Sequence, residues 1–268
     1  MKTLTTSTVR SIGAVPAVAC LLLAAVVTTS AWATDDELPS GAQVLDTFVE
    51  ATGGKAAHDK IRSRVSRGTM TVVGAGLEGD VTSFWSGGQT YFSWESAMGK
   101  IENGVCDGVA WEVSPMTGAR IKEGAEHLTA LRMATLDHIQ NWRDYYGEAK
   151  CVGIEMVDGR SCYKVILSAE GEPDFTNYYD RETGLHVKLE SEVTTAQGDG
   201  SIVFLIDDYR EVDGVLIPHE TTLTLNKVQT MLFKTVSNEH NVEISDETFA
   251  LPEIVRSKLE PRRAEHTN

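Results

Sequence analysis

The stretch Leu185-His186-Val187-Lys188-Leu189-Glu190 alternates apolar with polar side chains, the period of a β-strand with one dry and one wet face. On this reading Leu185, Val187 and Leu189 face the interior, while His186, Lys188 and Glu190 face water. The pattern recurs over residues 150–238, punctuated by Asp158-Gly159, Glu170-Gly171, Thr183-Gly184, Asp199-Gly200 and Asp213-Gly214. Glycine supplies the positive φ that tight hairpins need and Asp tolerates it, so each dipeptide marks a turn. Further strands are expected at 65–73, 81–85, 89–94, 100–106 and 109–113 upstream, and at 202–209, 215–225 and 230–238 downstream.

Helical periodicity interrupts the strands twice. Val44, Leu45, Phe48 and Val49 follow Pro39-Ser40 at helical spacing, Gly53-Gly54 stops them, and a further helical turn is expected over 55–61. Residues 122–146 carry no strand signal. There Leu128, Leu131, Leu136, Ile139 and Trp142 fall close to one helical face, an insertion of one or two helices that ends at Gly147. The order helix, strands, helices, strands predicts an α+β fold, mainly antiparallel β. The expected architecture is a single strongly curved, half-open β-barrel over residues 34–252, with helices on its concave side. Residues 253–268 read as a charged flexible tail.

Residues 1–33 read as a secretory signal peptide. Lys2 and Arg10 precede an apolar run over 12–27, and Ala31-Trp32-Ala33 offers a small-x-small cleavage site. The run is shorter than the ~20 residues of a membrane span and contains Pro16, which argues against an anchor. Losing two bases and no acid takes the net charge from −15 to −17. That acidity, without a basic patch, excludes nucleic acid as a partner. Cys106, Cys151 and Cys162 remain. With Asp158-Gly159 centring the hairpin, residue 155 faces 162 and residue 151 faces 166. Cys151 and Cys162 are then ~13 Å out of register at ~3.3 Å per residue, too far for a bridge. This leaves buried free thiols, or Cys106 bridged to one of the other two.

Catalytic constellations are not visible. The seven histidines are scattered, with no helical His pair around a Glu and no Cys-x-x-Cys, so no metal and no cofactor are expected. Asp137-His138 reads as a solvated pair on a polar helix face, and His219 as a satisfied core histidine. Gly74-Ala75-Gly76-Leu77-Glu78-Gly79 lies between two strands and reads as a hairpin turn, not a phosphate loop. Gly-x-Ser-x-Gly is absent, and Asp207-Asp208 would point to opposite faces of a strand. The chain is therefore read as a non-enzyme. Trp85, Trp94, Trp111 and Phe204 on the sheet, opposite Leu128, Leu131 and Trp142, form either a filled core or the lining of an apolar ligand cavity.

Several segments resemble the periplasmic lipoprotein carriers of the LolA and LolB type, and the group described as outer-membrane lipoprotein-sorting proteins. They are Ala51-Thr52-Gly53-Gly54-Lys55, residues 61–70 (IRSRVSRGTM), 177–189 (NYYDRETGLHVKL), 208–219 (DYREVDGVLIPH) and 249–252 (FALP). The resemblance implies a half-open β-barrel with helices in its mouth, a periplasmic location and no catalytic residues. It favours the cavity: a soluble carrier or binding protein for a lipophilic small molecule or lipoprotein, with transient membrane contact. An envelope protein partner is a further expectation. The alternative is a non-catalytic structural or interaction module of the envelope with no ligand cavity. A hydrolase would need a polar cluster that residue spacing does not reveal.

Overall fold

The computed structural model describes residues 37–138, 140–195 and 198–265; the leader expected over 1–33 lies outside them. The chain opens with α1 (Gly41–Ala51) and the single turn α2 (Lys55–His58). Six strands follow: β1 (Ser63–Val72), β2 (Leu77–Ser86), β3 (Gln89–Ser96), β4 (Gly99–Cys106), β5 (Val109–Ser114) and β6 (Gly118–Ile121). Next come α3 (Gly124–Met133) and α4 (Trp142–Tyr145). Seven more strands complete the sheet: β7 (Glu148–Val157), β8 (Arg160–Ser168), β9 (Phe175–Asp180), β10 (His186–Thr195), β11 (Gly198–Val212), β12 (Val215–Leu225) and β13 (Gln229–His240). A 3₁₀ turn (Asp246–Phe249) and α5 (Glu253–Glu265) close the chain.

All thirteen strands form one antiparallel sheet in the order β6-β5-β4-β3-β2-β1-β13-β12-β11-β10-β9-β8-β7. Two meanders are joined at β1 and β13, which leaves β6 and β7 as unpaired edges. The sheet therefore curves without closing. α3 touches β4 and β5 and also β10. In a flat sheet β4 and β10 would lie seven spacings apart, about 34 Å at roughly 4.8 Å each. A helix about 10 Å across cannot touch both unless the sheet curls toward it.

α1 starts at a capping box: Ser40 Oγ accepts from the Gln43 amide, and the Gln43 side chain accepts from the Ser40 amide. Its apolar stripe, Val44, Leu45, Phe48 and Val49, packs on Val165, Leu167, Phe175 and Tyr179. Gly53 and Gly54, with φ of 118° and 77°, end it. This is the largest of several cores. At the other end of the sheet, Ala110 and Trp111 point to opposite sides, as neighbours on a strand must. Ala110 meets Ala130, Leu131 and Ala134 at α3. Trp111 meets Ala119, Leu251 and Val255 of the C-terminal segment.

Several expectations change. The short strand β6 carried no clear signal. The insertion over 122–146 holds two helices, one of the two expected forms, but turns between α3 and α4 break the single helical face; Ile139 lies outside the described residues. Asp199-Gly200 is not a turn but part of β11, paired with Thr194 and Val193. Gly200 leaves room for Asn226 Oδ1, which accepts from the Ser201 amide and would sit 2.2 Å from a Cβ at 200. The expected loose tail begins instead as α5, anchored by the fully buried Val255. Glu155 faces Cys162 as expected, but a bulge at Val152 moves Cys151 opposite Val165 rather than Ile166. Cys106, Cys151 and Cys162 are all free.

Candidate functional site

Between the helix-covered face of the sheet and α1 and α3 lie two cavities of about 730 and 470 Å³. The larger draws on β1–β4 (Arg64, Trp85, Val105), on α3 (Ala130, Met133) and on β10–β12 (Val193, Leu223, Leu225). The smaller is walled by Leu45 and Phe48 of α1, by Trp142, and by Leu189, Ile206 and Tyr209 of the sheet. Thr129, Met133, His138, Phe175, Ile202 and Phe204 line both, so the cavities adjoin with Phe204 at their junction. Both walls are dominated by aliphatic and aromatic carbon, the composition of a site for an apolar ligand.

The few polar groups inside are desolvated and held in fixed partnerships. Arg132 is sandwiched between the Tyr146 and Phe175 rings, 4.6 Å from each centroid, and paired with Glu172 at 2.6 Å. His186 stacks on Tyr179 with centroids 4.9 Å apart, and its Nε2 donates to the Lys188 carbonyl at 2.8 Å. Burial pushes its pKa down to about 4, so the ring is neutral at pH 7. His138 donates from Nδ1 to the Thr135 carbonyl, and His58 shares a 3.0 Å hydrogen bond with Thr52. Burial lowers both pKa values, with a further contribution from the Arg64 charge. Among the described residues, no three His, Cys, Asp or Glu side chains gather to hold a metal ion.

The structure divides the seven residues singled out from sequence. Trp85 and Phe204 line the larger cavity, and Phe204 and Trp142 the smaller. Trp94 is buried elsewhere, over Gly79, with its Nε1 donating to the Met70 carbonyl. Trp111 lies on the far face, under α5. Leu131 fills the contact between α3 and β4–β5, and Leu128 is 39% exposed against the turn at Gly171. Strand parity sends Trp111 to the other face, whereas Trp94 shares a face with Trp85 and differs from it by its position along the strands.

Two further corrections concern histidines. His186 does not face water. A bulge between His186 and Lys188 places His186 opposite Tyr179 and Lys188 opposite Tyr178, so the alternation changes faces within the strand. His186 and Leu189 then share the cavity wall, while Val187 packs with Val157, Cys162 and Tyr178 behind the sheet. His138 is likewise a cavity residue and not a solvated one. His219 is buried, bonded to the Ile217 carbonyl and to Asn238. Arg64, Met133, Tyr146, Phe175 and Tyr209 went unnoticed in the sequence; only the inward parity of their strands or helix could have marked them.

No family model matches the chain, and no curated protein matches it in sequence. Solved structures do match. A DUF1329 family protein from Desulfovibrio piger superposes with a TM-score of 0.54 at 14% identity, covering 80% of this chain and 98% of that one. A LolA superfamily protein from Nitrosomonas europaea gives a TM-score of 0.51 at 10% identity, with 80% and 99% coverage. At such identities the likeness is one of fold. The chain shares the architecture of the LolA superfamily and DUF1329 proteins.

Proposed function

We propose that this protein is a non-catalytic carrier of a lipophilic ligand in the cell envelope, exported through its leader. The ligand's acyl chain occupies the adjoining cavities, and α1 and α3 sit on the concave side of the sheet as their cover. The observation that carries this reading is the apolar hollow itself, about 730 and 470 Å³ in its two parts. A scaffold module would fill that space with side chains, because interiors pack close to crystal density. Burying a chain contributes about 0.8 kcal/mol per methylene, so ten methylenes supply roughly 8 kcal/mol against the cost of association. The LolA superfamily likeness in fold supports a lipid or lipoprotein cargo, a periplasmic setting and brief contact with a membrane or an envelope protein during exchange.

The test is direct. Delipidated protein is titrated with a fluorescent long-chain fatty-acid probe and then with unlabelled lipid. Saturable, displaceable binding at one or two sites per chain is the expected result. Native mass spectrometry of protein taken from the envelope should show a co-purifying lipid mass. An absence of both signals would end the carrier reading.

A further inference from the structure

One charge in the hollow has no counterpart. Arg64 lies on β1 between Trp85, its partner on β2, and His240, its partner on β13. It lines the larger cavity. Among the described residues its guanidinium makes one hydrogen bond, from Nε to His240 Nε2 at 3.3 Å. That contact requires an unprotonated Nε2, and His240 Nδ1 lies 3.2 Å from Asp213 on the opposite side. Nη1 and Nη2, the fork that recognises carboxylates and phosphates, have no acceptor among the described residues.

The other buried or half-buried arginines are treated differently. Arg132 has Glu172 at 2.6 Å, and Arg120 has both Glu112 and Glu126 within 2.8 Å. Among the described residues no acid is bonded to Arg64. The two acids on the same cavity wall do not serve it: Glu126 is held by Arg120 and Lys122, and Glu192 stands on β10 across the hollow. Desolvation pushes the Arg64 pKa down to about 10, which still leaves it cationic at neutral pH. The neighbouring His58, His138 and His240 have lowered pKa values from burial and from this charge. Lys122, the other cation on this wall, is paired with Glu126, so among the described residues the cation left without an acid is Arg64. A half-buried, desolvated charge without a counter-ion costs the fold, and a ligand anion would relieve that cost.

We propose that Arg64 docks the anionic head group, a carboxylate or a phosphate, of an amphiphile whose chain lies along the adjoining apolar cavities. This rests on the carrier reading and adds the chemical class of the ligand. The chain supplies affinity by burial, and the head group supplies selection and orientation, with the fork fixed by the Nε bond to His240.

The test compares hexadecanoate, hexadecyl phosphate and neutral hexadecanol by titration calorimetry against wild-type protein and the R64M variant, which keeps an unbranched apolar stem and removes the fork. Wild type should bind at least one of the two anions ten or more times tighter than hexadecanol. R64M should lose that preference while binding hexadecanol as before, which also reports an intact fold. Its melting temperature should be no lower than that of wild type, because an uncompensated charge has gone. A phosphate preference larger than the carboxylate one assigns the head to a phospholipid-like source, and the reverse assigns it to a fatty acid. Equal binding of all three ligands by wild type, or a preference that survives R64M, overturns the Arg64 inference and leaves the carrier intact. Failure of every ligand to bind wild type overturns both.

Discussion

At the residue scale, the polar groups sealed around the hollow make the sharpest predictions. Arg132 and Glu172 are each 5% exposed and form the wall behind Phe175. Removing one partner leaves the other charged in a low-dielectric setting. E172A should therefore lose about 3–5 kcal/mol of unfolding free energy in urea. A loss below about 1 kcal/mol would mean that water reaches the pair and screens it. His186 sets a pH window. Its folded pKa is about 4 against an ordinary 6.5, so the unfolded chain takes up the proton first. Its contribution is complete above pH 6.5 and is lost as pH falls toward 4, amounting to at most about 3 kcal/mol. H186Q should flatten the stability profile between those limits. The remaining slope would come from His58, His138 and His240, whose pKa values are also lowered. An identical profile in the variant would show that the ring is not desolvated.

At the element scale, α1 is held against β7 by a close approach at its first residue. A Cβ on Gly41 would lie 2.3 Å from the Ala149 carbonyl oxygen. Helix propensity favours alanine over glycine by about 1 kcal/mol, whereas forcing a backbone apart costs typically 1–3 kcal/mol or more. The contact is with rigid backbone, so it outweighs propensity. G41A should destabilise the protein and shift α1 off the small cavity, and a rise in melting temperature would refute this. The bulge before Lys188 is an element-scale device of the same importance. It carries His186 and Leu189 to the cavity wall while keeping Val187 in the core behind the sheet. α5 closes the far face over Trp111 through Val255, both with 0% exposure. Truncation after Pro252 should expose that tryptophan, red-shift its emission and lower stability by about the 1.5–3 kcal/mol of a buried valine, or more.

At the scale of the whole molecule, a sheet with two free edges curls until one helix touches strands seven places apart, and the space left under that helix is the hollow. A ligand held there stabilises the fold by mass action: hexadecanoate at a hundred times its dissociation constant should add about 2.7 kcal/mol. Much of this was legible from residues alone. Asp107-Gly108, Asp158-Gly159 and Asp213-Gly214 announce their hairpins because few residues adopt the positive φ those turns require. Ser40, Gln43 and Gly53-Gly54 bound α1 for equally local reasons. Turn chemistry and capping act within a few residues, so the amino-acid order settled most of the hairpins and the bounds of α1, but not β6, the break between α3 and α4, or α5. Which face each side chain occupies was decided only in three dimensions. A bulge reverses His186, parity sends Trp111 under α5, and the fork of Arg64 ends without an acid because of what the curl brings near it, or fails to. The places of Trp111 and Arg64 depend on contacts with residues more than a hundred positions away, and the bulge at His186 on a hairpin register that strict alternation does not show.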